Sequence, residues 1–123
     1  MAVLDLRVGS SRIGEDTYVV AVSGELDVHA AGAVEDELAQ VIDNGARGVI
    51  VDMMGTSFVD SAGLGVLLTA ARTTRYGGGT FVIAADDARI LRVLQITGLD
   101  RTMHVERSLV EAVEHVVGCR HAR

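Results

Sequence analysis

The chain has 123 residues, 49% of them hydrophobic, and its 11 basic against 17 acidic side chains leave a formal charge of −6. That describes one soluble, acidic, globular domain, large enough to bury a core without a disulfide or structural metal and poorly suited to a nucleic-acid backbone. A lone cysteine, Cys119, excludes an internal disulfide, and no apolar run reaches the roughly 18 residues that a membrane span needs.

Leu4, Leu6 and Val8 alternate with Asp5 and Arg7, a period of two that predicts a half-buried first strand. This stretch has no basic run followed by a cleavable apolar segment, so the expected location is the cytoplasm. After a turn around Gly14, the Val-rich run Tyr18 to Ser23 reads as its antiparallel partner, ending at Gly24. Val34, Leu38, Val41 and Ile42 recur at helical spacing opposite Glu35, Asp36 and Glu37, and Asn44-Gly45 closes this first helix. Gly48 to Met53 is nearly continuous apolar sequence, as expected of a strand covered on both faces. Leu64, Leu67, Leu68 and Ala71 mark a second helix that stops at Gly77-Gly78-Gly79, and Thr80 to Ala85 follows as a strand. Asp86 or Asp87 caps a third helix running to Thr97, with Gly98 beyond it. A short strand over Met103 to Val105 precedes the S-x-x-E box of Ser108 and Glu111, which opens a helix bearing Leu109, Ala112, Val113 and Val116 and ending near Val117. The order β-β-α-β-α-β-α-β-α predicts an α/β fold, a mixed sheet with helices packed against it. Residues 1–117 form the one expected domain, and 118–123 a flexible basic tail.

The informative stretch is Ser57 to Val66, between a buried strand and an apolar helix. Ser61 falls where that helix begins, and a serine there can cap the free backbone N–H groups. Gly63 and Gly65 each cost about 1 kcal/mol inside a helix relative to alanine, so something else favours them. They either clear space for a partner's backbone beside Ser61 or let the helix pack closely on the sheet. A helix N-terminus also favours an added phosphate, which makes Ser61 a reasonable phosphoacceptor.

Asp60-Ser61-Ala62-Gly63-Leu64-Gly65, Gly24-Glu25-Leu26-Asp27 and Ile96-Thr97-Gly98-Leu99 together resemble the anti-sigma factor antagonists of the STAS domain family. The resemblance covers nearly the whole chain in the same element order. It implies a STAS-like fold and partner switching. In such families the dephosphorylated protein binds an anti-sigma factor that is also a serine kinase, which frees a sigma factor. The kinase then phosphorylates the antagonist, and a serine phosphatase resets it. Carried onto this chain, the phosphoacceptor is Ser61 and the partner-binding set is Asp27, Asp60, Ser61, Ala62, Gly63, Leu64 and Gly65. Many relatives place a hydroxyl residue after the acceptor, whereas Ala62 stands here, leaving Thr56 and Ser57 as nearby decoys.

Two other readings compete: a STAS scaffold that works without phosphorylation, and a small serine hydrolase. The hydrolase elbow G-x-S-x-G is missing, because Val59 holds the place of its first glycine. No glycine run matches a nucleotide-binding loop, so no cofactor is expected. His115 and Cys119 have i, i+4 spacing with His121 beyond, but no fourth ligand is evident and no metal is expected; His29 and His104 read as isolated surface residues. Asp27 serves equally well as a cap for the first helix, and Asp52 reads as a turn residue.

Overall fold

The computed structural model describes residues 6–121, so Leu4 and Asp5 of the expected first strand and Ala122 and Arg123 of the expected tail lie outside the described residues. The elements are β1 (Arg7–Arg12), β2 (Thr17–Leu26), α1 (Ala31–Asp43), β3 (Gly48–Val59), α2 (Ser61–Tyr76), β4 (Thr80–Ala84), α3 (Ala88–Ile96), a 3₁₀ turn (Leu99–Arg101), β5 (His104–Glu106) and α4 (Leu109–His121). The strands lie in the sheet in chain order, β1 antiparallel to β2 and every later pair parallel.

Strand alternation divides the apolar residues between two faces. Val20 and Val22 of β2, Val49, Val51 and Met53 of β3, and Phe81 and Ile83 of β4 meet α1, α2 and α3 in the main core. Val19, Ile50, Val82 and Ala84 point the other way, where α4 covers them with Ala112 and Val116. The near-continuous apolar runs of β3 and β4 follow from this burial on both sides.

Four boundaries differ from the sequence expectation. The first strand is Arg7–Arg12 rather than Leu4 to Val8, because it is a mostly exposed edge held by its ladder to β2, from Arg7 opposite Ser23 to Arg12 opposite Tyr18. Gly24 does not end β2; it lies within the strand at φ 102, beside one of two register shifts against β3. Through those shifts β3 runs six residues past Met53 to Val59. Gly55, Thr56 and Ser57 look like a loop in sequence, yet Gly55 fits because a side chain there would meet Ser23 Cβ at 2.8 Å. Finally, α4 continues through Gly118 to His121. Gly118 does not take the left-handed conformation of a helix stop, which Gly45, Gly78 and Gly98 each supply elsewhere.

Candidate functional site

The end of β2 and the end of β3 are neighbours in the sheet, Leu26 opposite Val59, so the segments that follow them meet. Asp60 joins the two. Its backbone is extended, at φ −107 and ψ −173, and its Oδ1 accepts hydrogen bonds from the Ala62 N–H at 3.0 Å and the Gly63 N–H at 3.1 Å. The other oxygen, Oδ2, accepts the Val28 N–H at 3.0 Å, and the Asp60 N–H donates to the Leu26 carbonyl at 3.2 Å.

The cap of α2 is therefore Asp60 and not Ser61. A capping side chain must come from the residue just outside the helix, where an extended backbone lets it fold over the first turn. Ser61 is already the first helical residue. It is exposed, and among the described residues its hydroxyl makes no hydrogen bond.

Asp27 performs the structural task open to it. Its Oδ1 accepts the His29 and Ala30 N–H groups, both at 3.0 Å, and its carbonyl accepts those of Ala30 and Ala31, which builds the turn leading into α1. Asp27 and Asp60 thus act on the same loop, one through its carboxylate at residues 29 and 30 and the other through the amide of Val28.

The two glycines separate. A Cβ at Gly63 would lie 2.7 Å from Leu26 Cγ, 2.8 Å from the Leu26 carbonyl oxygen and 2.9 Å from Val59 Cγ2, so Gly63 is the close-packing position that lets α2 seat on β2 and β3. Being buried, it is removed from the accessible part of the expected partner set. A Cβ at Gly65 would meet nothing within 4 Å. Ala62 and Leu64 are half-buried, Leu64 against the main core.

The decoy hydroxyls are also placed. Thr56 is 2% exposed and donates to the Val22 carbonyl at 2.7 Å, satisfying an acceptor beside a register shift. Ser57 is exposed, with a long contact of 3.4 Å to the Gly24 carbonyl. Asp52 lies inside β3, where its carboxylate accepts the Met54 N–H at 3.0 Å as a turn residue would.

Two apolar residues that pattern reading passed over stand at this end of the sheet: Val28 is 64% exposed and Phe58 47%. The available signal was a large apolar residue next to a capping aspartate with no periodic partner. Neither ion pair formed among the described residues, Arg89 with Asp87 or His104 with Glu106, includes a residue of this site.

Residues 10–112 match the STAS domain family. The chain belongs to that family. An anti-sigma-B factor antagonist of Staphylococcus epidermidis is 34% identical over 91 residues, covering 74% of this chain and 84% of its own length. A namesake in Staphylococcus aureus (strain NCTC 8325 / PS 47) is 34% identical over 88 residues, 72% and 82% of the two chains. Among solved structures, an anti-sigma factor antagonist from Mycobacterium paratuberculosis superposes with a TM-score of 0.79 at 25% identity, covering 91% of this chain and 94% of that one. The Bacillus cell fate determinant SpoIIAA in its phosphorylated form gives 0.71 at 25% identity over 89% and 99%. The anticipated membership, among the anti-sigma factor antagonists of the STAS domain family, and the mixed five-stranded α/β sheet are both borne out.

In this STAS domain the histidines are less scattered than their spacing suggests. His104, read as isolated, stacks on His115 with ring centroids 3.6 Å apart, and His115 Nε2 lies 3.4 Å from Cys119 Sγ. Burial, with His104 adding to it, holds His115 below the ordinary histidine range, and Glu106 works against that shift. The side chain of His121 lies outside the described residues. No helix of the described chain is long and apolar enough to cross a membrane.

Proposed function

We propose that this STAS domain is a non-enzymatic, cytoplasmic anti-sigma factor antagonist that binds an anti-sigma factor kinase while Ser61 is unmodified and releases it once Ser61 is phosphorylated. The observation that carries this reading is the division of labour at the start of α2: Asp60 caps the helix, so the exposed Ser61 hydroxyl is not engaged in holding the fold. Among the nearby hydroxyls, Thr56 is sealed and bonded.

In the transfer step the Ser61 oxygen bonds to the γ-phosphorus of ATP as the bond to the β,γ-bridging oxygen breaks. ADP leaves, and the hydroxyl proton passes to a base on the kinase. A phosphatase restores the hydroxyl by hydrolysis of the phosphoserine. Phosphate adds about −1.5 to −2 charges at neutral pH. Its repulsion with Asp60 exists in free and bound protein alike, so release depends on what the interface does to the new charge. Covering a dianion without a prepared cation costs several kcal/mol. About 3 to 4 kcal/mol weakens binding by roughly 10²- to 10³-fold, which suffices for a switch. Val28, whose amide Asp60 holds, and Gly65, one turn along α2, are exposed surface beside Ser61 on which such a partner would rest.

Incubation with a purified anti-sigma factor kinase and ATP tests the reading by intact mass. The wild-type chain is expected to gain one phosphate and Ser61→Ala none. An unmodified wild-type chain that still binds would establish the phosphorylation-independent scaffold instead.

A further inference from the structure

A second site lies across the sheet from the three-helix face, where β5 meets α4. On β5, residues two apart share a face. His104 and Glu106 stand opposite Val82 and Ala84 of β4, the residues that pack under α4, so both project to the α4 side. On α4, His115 and Cys119 are one turn apart and present a matching pair. One donor atom from each of His104, Glu106 and His115 lies within 4.8 Å of the other two, and Cys119 Sγ, outside that cluster, stands 3.4 Å from His115 Nε2, where a small movement of the end of α4 would bring it in as a fourth donor.

We propose that His104, Glu106, His115 and Cys119 form a binding site for a zinc-class divalent transition metal that ties α4 to the edge strand β5. Two imidazoles, a thiol and one carboxylate are a borderline-soft donor set, which suits zinc and its neighbours and not the oxygen-seeking calcium or magnesium. Tetrahedral zinc places its nitrogen and oxygen ligands about 3.3 Å apart and a sulfur about 3.5 Å from a nitrogen; the 3.4 Å between Cys119 Sγ and His115 Nε2 meets this, whereas the 2.5 Å between His104 Nε2 and Glu106 Oε2 is too short. Two further adjustments complete the geometry. His104 Nε2 and Glu106 Oε2, 2.5 Å apart, separate to admit the ion, and the imidazoles, now parallel to within 10°, splay so that both lone pairs point at one centre. His104 is exposed enough to turn, with 42% of its side chain accessible. The mechanical consequence is local: β5 has three residues and, among the described residues, is the edge strand beside β4, so a bond from it to α4 anchors the sheet's edge.

The test uses the full, tag-free chain stripped with a chelator and titrated with zinc against a chromophoric competitor. One ion per chain is expected, together with a rise in melting temperature. Cobalt(II) in place of zinc is expected to show a thiolate charge-transfer band that disappears in Cys119→Ser. Loss of an outer-shell partner alone typically costs about 10- to 100-fold in metal affinity, so His104→Ala and His115→Ala are each expected to weaken zinc by at least about tenfold. Circular dichroism of the metal-free variants checks that they fold, and Ser61→Ala, outside this site, is expected to bind zinc like the wild type. Absence of saturable one-to-one binding, or equal affinity in the folded His104→Ala protein, would overturn the proposal.

Discussion

The Asp60 carboxylate holds the Val28 amide at 3.0 Å with one oxygen while the other caps α2, so a single side chain fastens the loop after β2 to the helix that presents Ser61. The acidic residue beside the phosphoacceptor is thus an organiser of the surface.

Asp60→Ala removes an acceptor from three backbone N–H groups. A lost N-cap costs about 0.5 to 2 kcal/mol, and the orphaned Val28 amide, near the surface, adds little because water replaces the carboxylate. Chemical denaturation is expected to show a loss of about 1 to 2 kcal/mol. Asp60→Asn keeps a side-chain oxygen for the cap but turns its NH2 toward the Val28 N–H, donor against donor, so it is expected to retain the capping part of that stability while losing the hold on the loop after β2.

Gly63 and Gly65 are expected to respond in opposite directions to alanine. At Gly63 the new methyl strikes the Leu26 carbonyl, an atom fixed by the sheet, and overpacking of this kind costs about 1 to 3 kcal/mol. At Gly65 it enters open space and gains up to about 1 kcal/mol of helix propensity. Urea unfolding of the two variants checks both signs. A partner titration of the folded Gly65→Ala protein then reports whether that open position serves docking.

The same contrast explains how much was legible in the sequence. The apolar run of β4, the helical period of α2 and the Ser108 to Glu111 box are local signals. In the structure Ser108 Oγ accepts the Glu111 N–H at 3.1 Å and donates to its carboxylate at 3.2 Å. What escaped depends on residues distant in sequence. Polar Ser10 and Ser11 become strand because β2 supplies ladder bonds, and the second half of β3 stays paired to β2 because β3 carries one extra residue at each of the two register shifts. Spacing alone placed the helix cap one residue late, since serine and aspartate are both good caps and only the backbone angle of Asp60 decides between them. The His104 to His115 pairing joins a strand to a helix, and no periodicity within either element encodes it.

Asp87 offers a pH prediction. It caps α3 through the Arg89 N–H at 2.8 Å, and the Arg89 guanidinium, followed by that amide, pulls its carboxyl from 3.8 to about 2. Between those values the unfolded chain binds a proton that the folded chain refuses. The stabilising contribution is therefore complete above about pH 4 and disappears as the pH falls through about 2. Carboxyl carbon shifts followed by NMR are expected to give a midpoint near 2. In Arg89→Ala the midpoint moves part of the way back toward 3.8, because the backbone N–H of residue 89 remains.

Ser61 supplies the decisive pair of variants. Among the described residues its hydroxyl makes no hydrogen bond, so Ser61→Ala is expected to leave stability within about 0.5 kcal/mol of the wild type and to keep partner affinity. Ser61→Asp places a negative charge at the first position of a helix, where the free N–H groups and the dipole favour it by about 0.3 to 1 kcal/mol, partly offset by Asp60. Neither change harms the fold, so any difference in binding belongs to the interface. Calorimetric titration with an anti-sigma factor is expected to show at least about tenfold weaker binding for Ser61→Asp than for Ser61→Ala, which corresponds to about 1.4 kcal/mol. A carboxylate carries a single charge and less bulk than a phosphate, so this is the lower end of the effect that the phosphorylated chain itself should produce. Equal affinities would place the contact surface away from Ser61 and overturn the switch at this hydroxyl.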